Sequence, residues 1–217
     1  MNDFAVTERT RVKRIHERGH YDRETVHAVL DAGMICHMGF AVDGSPFVVP
    51  TAYWREDDTV YVHGSSASRT LRSLRGGIEV CIAVTHLDGL VLARSGFHHS
   101  INYRSVMIFG TAELVEDADE KMAALKAFMD RITPGRWDEV RPPDDQEFKA
   151  TMVLRVPLEE VSAKVRIGPP IDDDEDYALP CWAGVVPLGI AIGDPIPDPK
   201  LADGIPVPDY ATNFKLG

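Results

Sequence analysis

The sequence predicts a mainly β protein with flanking helices, folded as a single closed or partly closed barrel. Three observations carry this. Short runs of strand-forming residues recur between strong turn signals such as Asp43-Gly44 and Glu56-Asp57-Asp58. Two segments repeat apolar residues at helical spacing behind an aspartate that can cap them. The 217 residues suffice for one sizeable core, and no internal repeat or domain-sized linker divides them.

The elements follow in order. Asp22 precedes Val26, Val29 and Leu30, with Gly33 placed to stop the pattern, so a helix is expected from about Arg23 to Ala32. Ile35 to Val42 is a strand, turned by Asp43-Gly44 into a return strand from Phe47 to Trp54. Pro50 cannot donate to a ladder and belongs at an edge or a bulge. Thr59 to His63 is a third strand, followed by the polar run HGSSASR and a short helical stretch with Leu71 and Leu74 before Gly76-Gly77. Ile78 to Val84 reads as a strand buried on both faces, and Leu87-Asp88-Gly89 as a turn into Leu90 to Arg94. A long strand is expected over Asn102 to Leu114, with Gly110 as a candidate bulge. Asp117 then caps a helix striped by Met122, Leu125, Phe128 and Ile132, ended by Pro134-Gly135. Met152 to Val156 and Val161 to Ile167 are the last strands, which brings the count to six or seven. Nine of the fifteen prolines follow Gly168, so the end of the chain is expected to be extended and to wrap the barrel or a partner.

Composition excludes several function classes. A net charge of −11 argues against a nucleic-acid partner, which needs a basic surface to displace counterions. No run approaches the roughly 18 apolar residues that cross a bilayer, and no membrane partner is expected. Arg9, Arg11, Lys13, Arg14 and Arg18 alternate with Asp3, Glu8 and Glu17, as in a solvated or partner-contacting arm. Cys36, Cys81 and Cys181 form neither a disulfide framework nor a zinc pattern and suit a reducing cytoplasm.

Several constellations could carry chemistry. His63-Gly64-Ser65-Ser66-Ala67-Ser68-Arg69 places hydroxyls and a guanidinium between a strand and a helix, which suits either a phosphate receptor or a helix cap with a solvated arginine. The proline in Val48 to Tyr53 could release backbone groups toward the edge of a heterocycle, or simply mark an edge strand. His98-His99 lacks the further ligands of a closed metal site, and no metal is expected. Arg104-Ser105 could add anion contacts. The run Asp172 to Asp176 lacks the glycine and terminal glutamate of a calcium loop and reads as solvated. Lys164 and Arg166 share one face of a strand, either paired with acidic groups or reaching a ligand phosphate. With no nucleophile elbow visible, catalytic residues stay unassigned, and any hard chemistry belongs to a cofactor.

Five motifs in order, VVPTAY at 48–53, VYVHGSSASR at 60–69, DGLVLARS at 88–95, HHSINYRSVMIFGTA at 98–112 and SAKVRIGPP followed by WAGVVPL between 162 and 188, carry a resemblance. The chain resembles the pyridoxamine 5′-phosphate oxidase-like flavoproteins of the FMN-binding split-barrel superfamily. The resemblance is strongest to the branch that holds nitroimidazole-resistance and flavin-nucleotide-binding proteins. It implies a six-stranded FMN-binding split β-barrel at 1–168, with an N-terminal arm, and a proline-rich extension at 169–217 packing on the barrel or a partner subunit. It also implies a homodimer with FMN in interface clefts. Val49, Pro50, Thr51, Ala52 and Tyr53 would line the flavin ring. His63, Gly64, Ser65, Ser68 and Arg69 would approach its phosphate. Asn102, Tyr103, Arg104 and Ser105 would line the cleft, and Trp182 would cover the flavin or the substrate.

The expected activity is that of an FMN-dependent oxidoreductase, passing electrons from NADH or NADPH to a small organic acceptor such as a nitroaromatic. The basic and polar side chains with which the B6 oxidases hold their phosphorylated substrate have no match here, so vitamin B6 oxidation is not expected. Two alternatives stand beside this reading. One is a non-enzymatic flavin-binding or sensing protein. The other is a haem-binding relative with His63, His98 or His99 as axial ligand.

Overall fold

Alternating apolar residues become antiparallel ladders in the computed structural model, which describes residues 3–68 and 76–215. In chain order the strands are β1 (Gly19–His20), β2 (Ile35–Val42), β3 (Ser45–Glu56), β4 (Thr59–Ser65), β5 (Glu79–Leu92), β6 (Ser100–Thr111), β7 (Glu113–Leu114), β8 (Thr151–Pro157), β9 (Glu160–Arg166) and β10 (Gly184–Pro187). The helices are α1 (Arg23–Asp31), α2 (Ala118–Ile132), α3 (Asp145–Ala150) and α4 (Asp209–Thr212). Contacts gather these elements into two units interleaved along the chain. One comprises residues up to Thr51, Glu79–Gly110 and Leu158–Ile190; the other takes the described parts of Ala52–Ile78, Thr111–Pro157 and residues from Ala191 onward. Among the described residues, no helix is long and apolar enough to cross a membrane.

In the first unit the strand order is β1-β9-β6-β5-β2, followed by the first half of β3, with β10 pairing β5 separately. Cys36, Met38 and Phe40 of β2 and Val80, Ile82 and Val84 of β5 point inward together with Val106, Ile108, Val161 and Ala163. Helix α1 covers part of this face with Val26, Val29 and Leu30, each fully buried side chain contributing about 1.5–3 kcal/mol. Its start is fixed by the Asp22 carboxylate, which accepts from the Thr25 N–H at 2.8 Å. The β2–β3 turn has φ 49° at Asp43 and 76° at Gly44, the left-handed pair that a two-residue hairpin demands.

In the second unit the rest of β3 pairs with β4, β4 with β8, and β8 with β7. Trp54, Val115, Ala124 and Val153 form the core there, joined by Tyr61, Leu125 and Phe128. Helix α2 begins at Asp117, whose carboxylate accepts from Glu120 N–H at 2.8 Å. Helix α3 opens on a reciprocal box: Asp144 accepts from the Glu147 N–H, and the Glu147 carboxylate accepts from the Asp144 N–H.

Four differences from the sequence expectation have local causes. The strand count exceeds six: seven strands have seven or more residues, and three are shorter. The shorter ones exist only through distant partners, as with β1 on β9. Leu87-Asp88-Gly89 does not turn, because β10 supplies a ladder that carries β5 straight through it, with Gly89 opposite Pro187 and Leu92 opposite Gly184. Gly89 is needed for close approach instead: a Cβ there would lie 3.0 Å from Val185 Cγ1 and 3.1 Å from the Val186 carbonyl. Strand β4 runs on through Gly64-Ser65, held by Met152 and Thr151 of β8. The long strand over Asn102 to Leu114 is broken at Ala112, whose N–H leaves the ladder to donate to the Ile78 carbonyl. The helical stretch expected around Leu71 and Leu74 lies outside the described residues.

Gly89→Val should therefore detach β10 rather than disturb a turn. We expect a loss of about 1–3 kcal/mol in chemical denaturation, the usual cost of overpacking, together with faster amide exchange at Val91 and Leu92.

Candidate functional site

The most chemically distinctive place in the first unit is a cavity of about 590 Å³ lined by Arg14, Ile15, Arg18, Phe97, His98, His99, Tyr103, Lys164, Arg166 and Ile171, among others. Strand register builds its floor. Tyr103 of β6 lies opposite Arg166 of β9, and Ser105 opposite Lys164, so the two cations emerge on one face two residues apart. The N-terminal arm supplies one wall. Gly19 of β1 pairs with Lys164, which anchors the short 3-10 turn His16–Arg18 beside β9. Ile15 ahead of that turn holds φ 54° and ψ 60°, a left-handed conformation costly for a β-branched residue.

Four side chains of this cavity are cations, and among the described residues none meets a carboxylate within ion-pair distance. Lys164 Nζ donates only to the Arg14 carbonyl at 3.4 Å. Arg166 is 7% exposed and spends its guanidinium on neutral acceptors, the Asn102 side chain and the Gly168 and Pro169 carbonyls. Its Nε is buried without a hydrogen-bond partner. Burial, and after it the charge of Arg18, pushes this guanidinium below its usual pKa. A buried cation without a carboxylate is costly unless an anion arrives to pair with it.

The histidines enter from the turn after β5. The Asp172 side chain is fully buried and accepts from Arg94 N–H at 2.9 Å, Arg94 Nη1 at 3.1 Å and Ser95 N–H at 3.4 Å. Burial alone would raise its carboxyl; the donors from Arg94 and Ser95 outweigh that and hold it low. This overturns the expectation of a wholly solvated acidic run. The same turn fixes both imidazoles. His98 Nδ1 hydrogen-bonds with Ser95 Oγ at 3.2 Å, and His99 Nδ1 lies 2.9 Å from the Ser95 carbonyl oxygen. A carbonyl can only accept, so His99 Nδ1 carries a proton, which leaves Nε2 as the ring nitrogen that can offer a lone pair to a ligand. His98, Asp172 and Asp176 bring possible metal ligands within 4.8 Å of one another. The Arg94 guanidinium already occupies Asp172, however, and would repel a metal ion.

The structure distributes the other sequence-derived residues as follows. Val49 and Thr51 are half-buried and Pro50 is exposed, in the stretch of β3 before β4 pairing begins at Tyr53. Ala52 is half-buried and Tyr53 fully buried. The His63 imidazole turns into the second unit's aromatic cluster, with ring centres 4.4 Å from Phe128 and 5.6 Å from Trp54. Burial lowers its pKa, and its Nδ1 has no partner among the described residues. After Gly64, the backbone donors of the serine loop are used internally. Ser66 N–H donates to the Ala150 carbonyl, Ala67 N–H to Ser65 Oγ and Ser68 N–H to the Ser65 carbonyl. Arg69 lies outside the described residues.

Asn102 is buried against Arg166, and Tyr103 faces the cavity. Arg104 forks onto Asp88 at 3.0 and 2.9 Å, a bond that raises its pKa and occupies the guanidinium, while Ser105 Oγ donates to the Lys164 carbonyl. Trp182 is 67% exposed and folds back on Gly184. Sequence reasoning missed the contribution of Arg14, Ile15 and Arg18, since nothing local in the arm announces a pairing with Lys164.

Comparison with known proteins adds to this geometry. A family model described as pyridoxamine 5′-phosphate oxidase matches residues 22–165. No curated protein matches the chain. Among solved structures, the flavocytochrome Anf3 from Azotobacter vinelandii is 46% identical, with 97% of this chain and 98% of that one covered and a TM-score of 0.92. An FAD and haem binding protein from Mycobacterium smegmatis is 38% identical, covering 89% and 95% of the two chains with a TM-score of 0.85. A candidate 5-nitroimidazole antibiotic resistance protein from Bacteroides thetaiotaomicron is 26% identical over 68% of this chain and 86% of its own, with a TM-score of 0.58.

The His63 environment has a pH signature. Its folded pKa lies below the unfolded value, so protonation favours the unfolded chain. The stability it contributes is complete above the ordinary histidine range, near 6.5, and is lost as pH falls from there toward the folded value. Melting temperatures measured from pH 7.5 to 5.5 should drop less in His63→Phe than in the unaltered protein. Equal slopes would place that sensitivity elsewhere.

Proposed function

The chain belongs to the pyridoxamine 5′-phosphate oxidase family, and on that footing we propose that it is a redox flavoprotein that carries a haem beside its flavin. The observation that carries the reading is His99, an imidazole whose Nδ1 is tied to a backbone carbonyl and whose Nε2 is left for a metal, at a cavity with cationic walls. The site fits such a group. It offers two imidazoles, of which His99 has its Nδ1 held by a backbone carbonyl, apolar surface from Ile15, Phe97 and Ile171, and four cations for acidic substituents. Likeness along the chain supports the same reading. The two relatives named for haem or cytochrome cover nearly all of it, beyond the end of the family match at residue 165, whereas the nitroimidazole-type relative covers 68%.

When bound, a flavin exchanges electrons singly or in pairs and a haem exchanges them one at a time, which together let a two-electron donor serve a one-electron path. The chain's own residues bind and orient. His99 would hold the iron, with the Ser95 carbonyl keeping its ring in one tautomer. Asp172 would keep the turn bearing Ser95 in place through Arg94. For the flavin, the reading keeps the first unit's part of the expected set, Val49 to Thr51 against the ring, Asn102 to Ser105 along the cleft and Trp182 as cover; the His63 imidazole is committed to the second unit's aromatic core. FAD is preferred over FMN because the 38% identical relative is named for FAD. The donor is a reduced nicotinamide and the acceptor a small oxidant, with nitroaromatics among those to test. Three unpaired cysteines suit a reducing cytoplasm. A homodimer belongs to the same reading, since Ile35, Val48 and Leu87 expose apolar surface on the first unit's outer strand face, which a second copy would cover.

The test is spectroscopic. Full-length protein supplied with FAD and haem should show both flavin absorbance and a Soret band, and His99→Ala should lose the Soret band while keeping the flavin. Absence of a Soret band in the unaltered protein would overturn the haem assignment. Its persistence in His99→Ala would move the ligand to another histidine.

A further inference from the structure

The N-terminal arm was expected to be solvated or to contact a partner, and two of its five lysine and arginine side chains do meet acids. Arg9 pairs with Glu79 and Glu160, and Lys13 with Glu8. Arg14 and Arg18 differ. Both face the cavity, and neither forms an ion pair among the described residues. They stand across from Lys164 and Arg166, so four positive charges converge in a protein whose net charge is −11.

Three independent features show that this convergence is built. The arm is fastened beside β9 by the Gly19–Lys164 and His20–Ala163 pairs. Within the arm the chain folds back on itself so tightly that a Cβ on Gly19 would lie 2.9 Å from Val12 Cβ. Ile15 accepts a left-handed backbone between the two arginines, a conformation that a β-branched residue keeps only where its surroundings compel it. Arg166 is buried, carries no carboxylate partner and leaves Nε unsatisfied at the cavity. Two like charges beside a desolvated third repel one another until counter-charge arrives.

We propose that Arg14 and Arg18, with Lys164 and Arg166, form a clamp for the paired anionic groups of a flat, partly apolar ligand. The paired groups are two carboxylates or a diphosphate. Two cations can serve each anionic group, and arginine forks suit both carboxylate and phosphate oxygens. Ile15, Phe97 and Ile171 receive the apolar body; Phe97 is 91% exposed and has room to cover it. The arm is thus part of the binding site, and ligand affinity is linked to arm order. The clamp rests on the proposed function only for the identity of its occupant: haem brings two carboxylates, and FAD brings a diphosphate.

The test measures binding to the full chain, by absorbance or fluorescence, for two matched pairs of probes. One pair is haem and its dimethyl ester; the other is FAD and riboflavin. In each pair the ring is kept and the anionic groups are removed. For the true occupant the charged member should bind roughly tenfold or more tightly than the uncharged one. That preference should weaken with salt and should vanish in Arg14→Ala/Arg18→Ala, two substitutions at the surface arm. The pair that behaves this way names the source. Limited trypsin digestion gives a second readout: the bonds after Arg14 and Arg18 should be protected by that ligand, or by inorganic pyrophosphate alone if neither cofactor is taken up. Pyrophosphate protection without cofactor binding would keep the clamp and overturn the flavohaem reading. A charged-ligand preference that survives the double substitution, or no preference and no protection with any probe, would overturn the clamp.

Discussion

A single buried carboxylate organises the chemical end of the first unit. Asp172 has no exposed side-chain surface, and it accepts hydrogen bonds from two successive backbone donors and one guanidinium. Through these bonds the chain leaving β9 is tied to the chain leaving β5. The turn from Arg94 to His99 is then shaped around Ser95, whose hydroxyl and carbonyl hold the two imidazoles. Take away the charge at Asp172, and the half-buried Arg94 donors lose their acceptor while the histidine turn loses its foundation. The balance of effects is decided by number: three donors overcome the desolvation that would otherwise neutralise the acid.

Charge is segregated with similar economy. Elsewhere on the described surface several acids and bases meet in pairs, including Arg104 with Asp88 and Arg155 with Glu113 and Glu120. Pairs with exposed partners are worth little individually. What distinguishes Arg14, Arg18, Lys164 and Arg166 is that four cations without an ion pair among the described residues line one cavity. A protein rich in carboxylates has withheld them from one cavity.

Much of the architecture was legible because its causes are local. Asp22 and Asp117 cap their helices through bonds three residues away, and Asp43-Gly44 turns because those two residues tolerate left-handed backbone. The Asp144–Glu147 box was equally local and could have been read from its spacing. What escaped depends on distant partners. Leu87-Asp88-Gly89 has turn composition, yet it runs straight because β10 returns from far downstream to pair with it. His63 looked like part of an anion loop, while β8 and the aromatic side chains of Trp54 and Phe128 draw it into a core. At the cavity, Tyr103 was named and His98 and His99 were weighed, and the two cations of β9 were left open between acids and a ligand. The arm's share could not be seen, since the Gly19–Lys164 register spans most of the chain.

The pairing of β10 with β5 also bears on how the protein tolerates being cut. Residues 89–92 owe their ladder on that side to a four-residue strand followed by an exposed, proline-rich end. A nick or frameshift between β9 and β10 would spare the polypeptide that forms β1 to β9, yet uncover backbone donors and acceptors of β5 over residues 89–92, beside the exposed Leu87 and Leu90. Such an edge is adhesive, and it invites pairing with the same edge on another molecule. The late segment therefore acts as a guard against self-association during synthesis, when everything before it is already made and still uncovered.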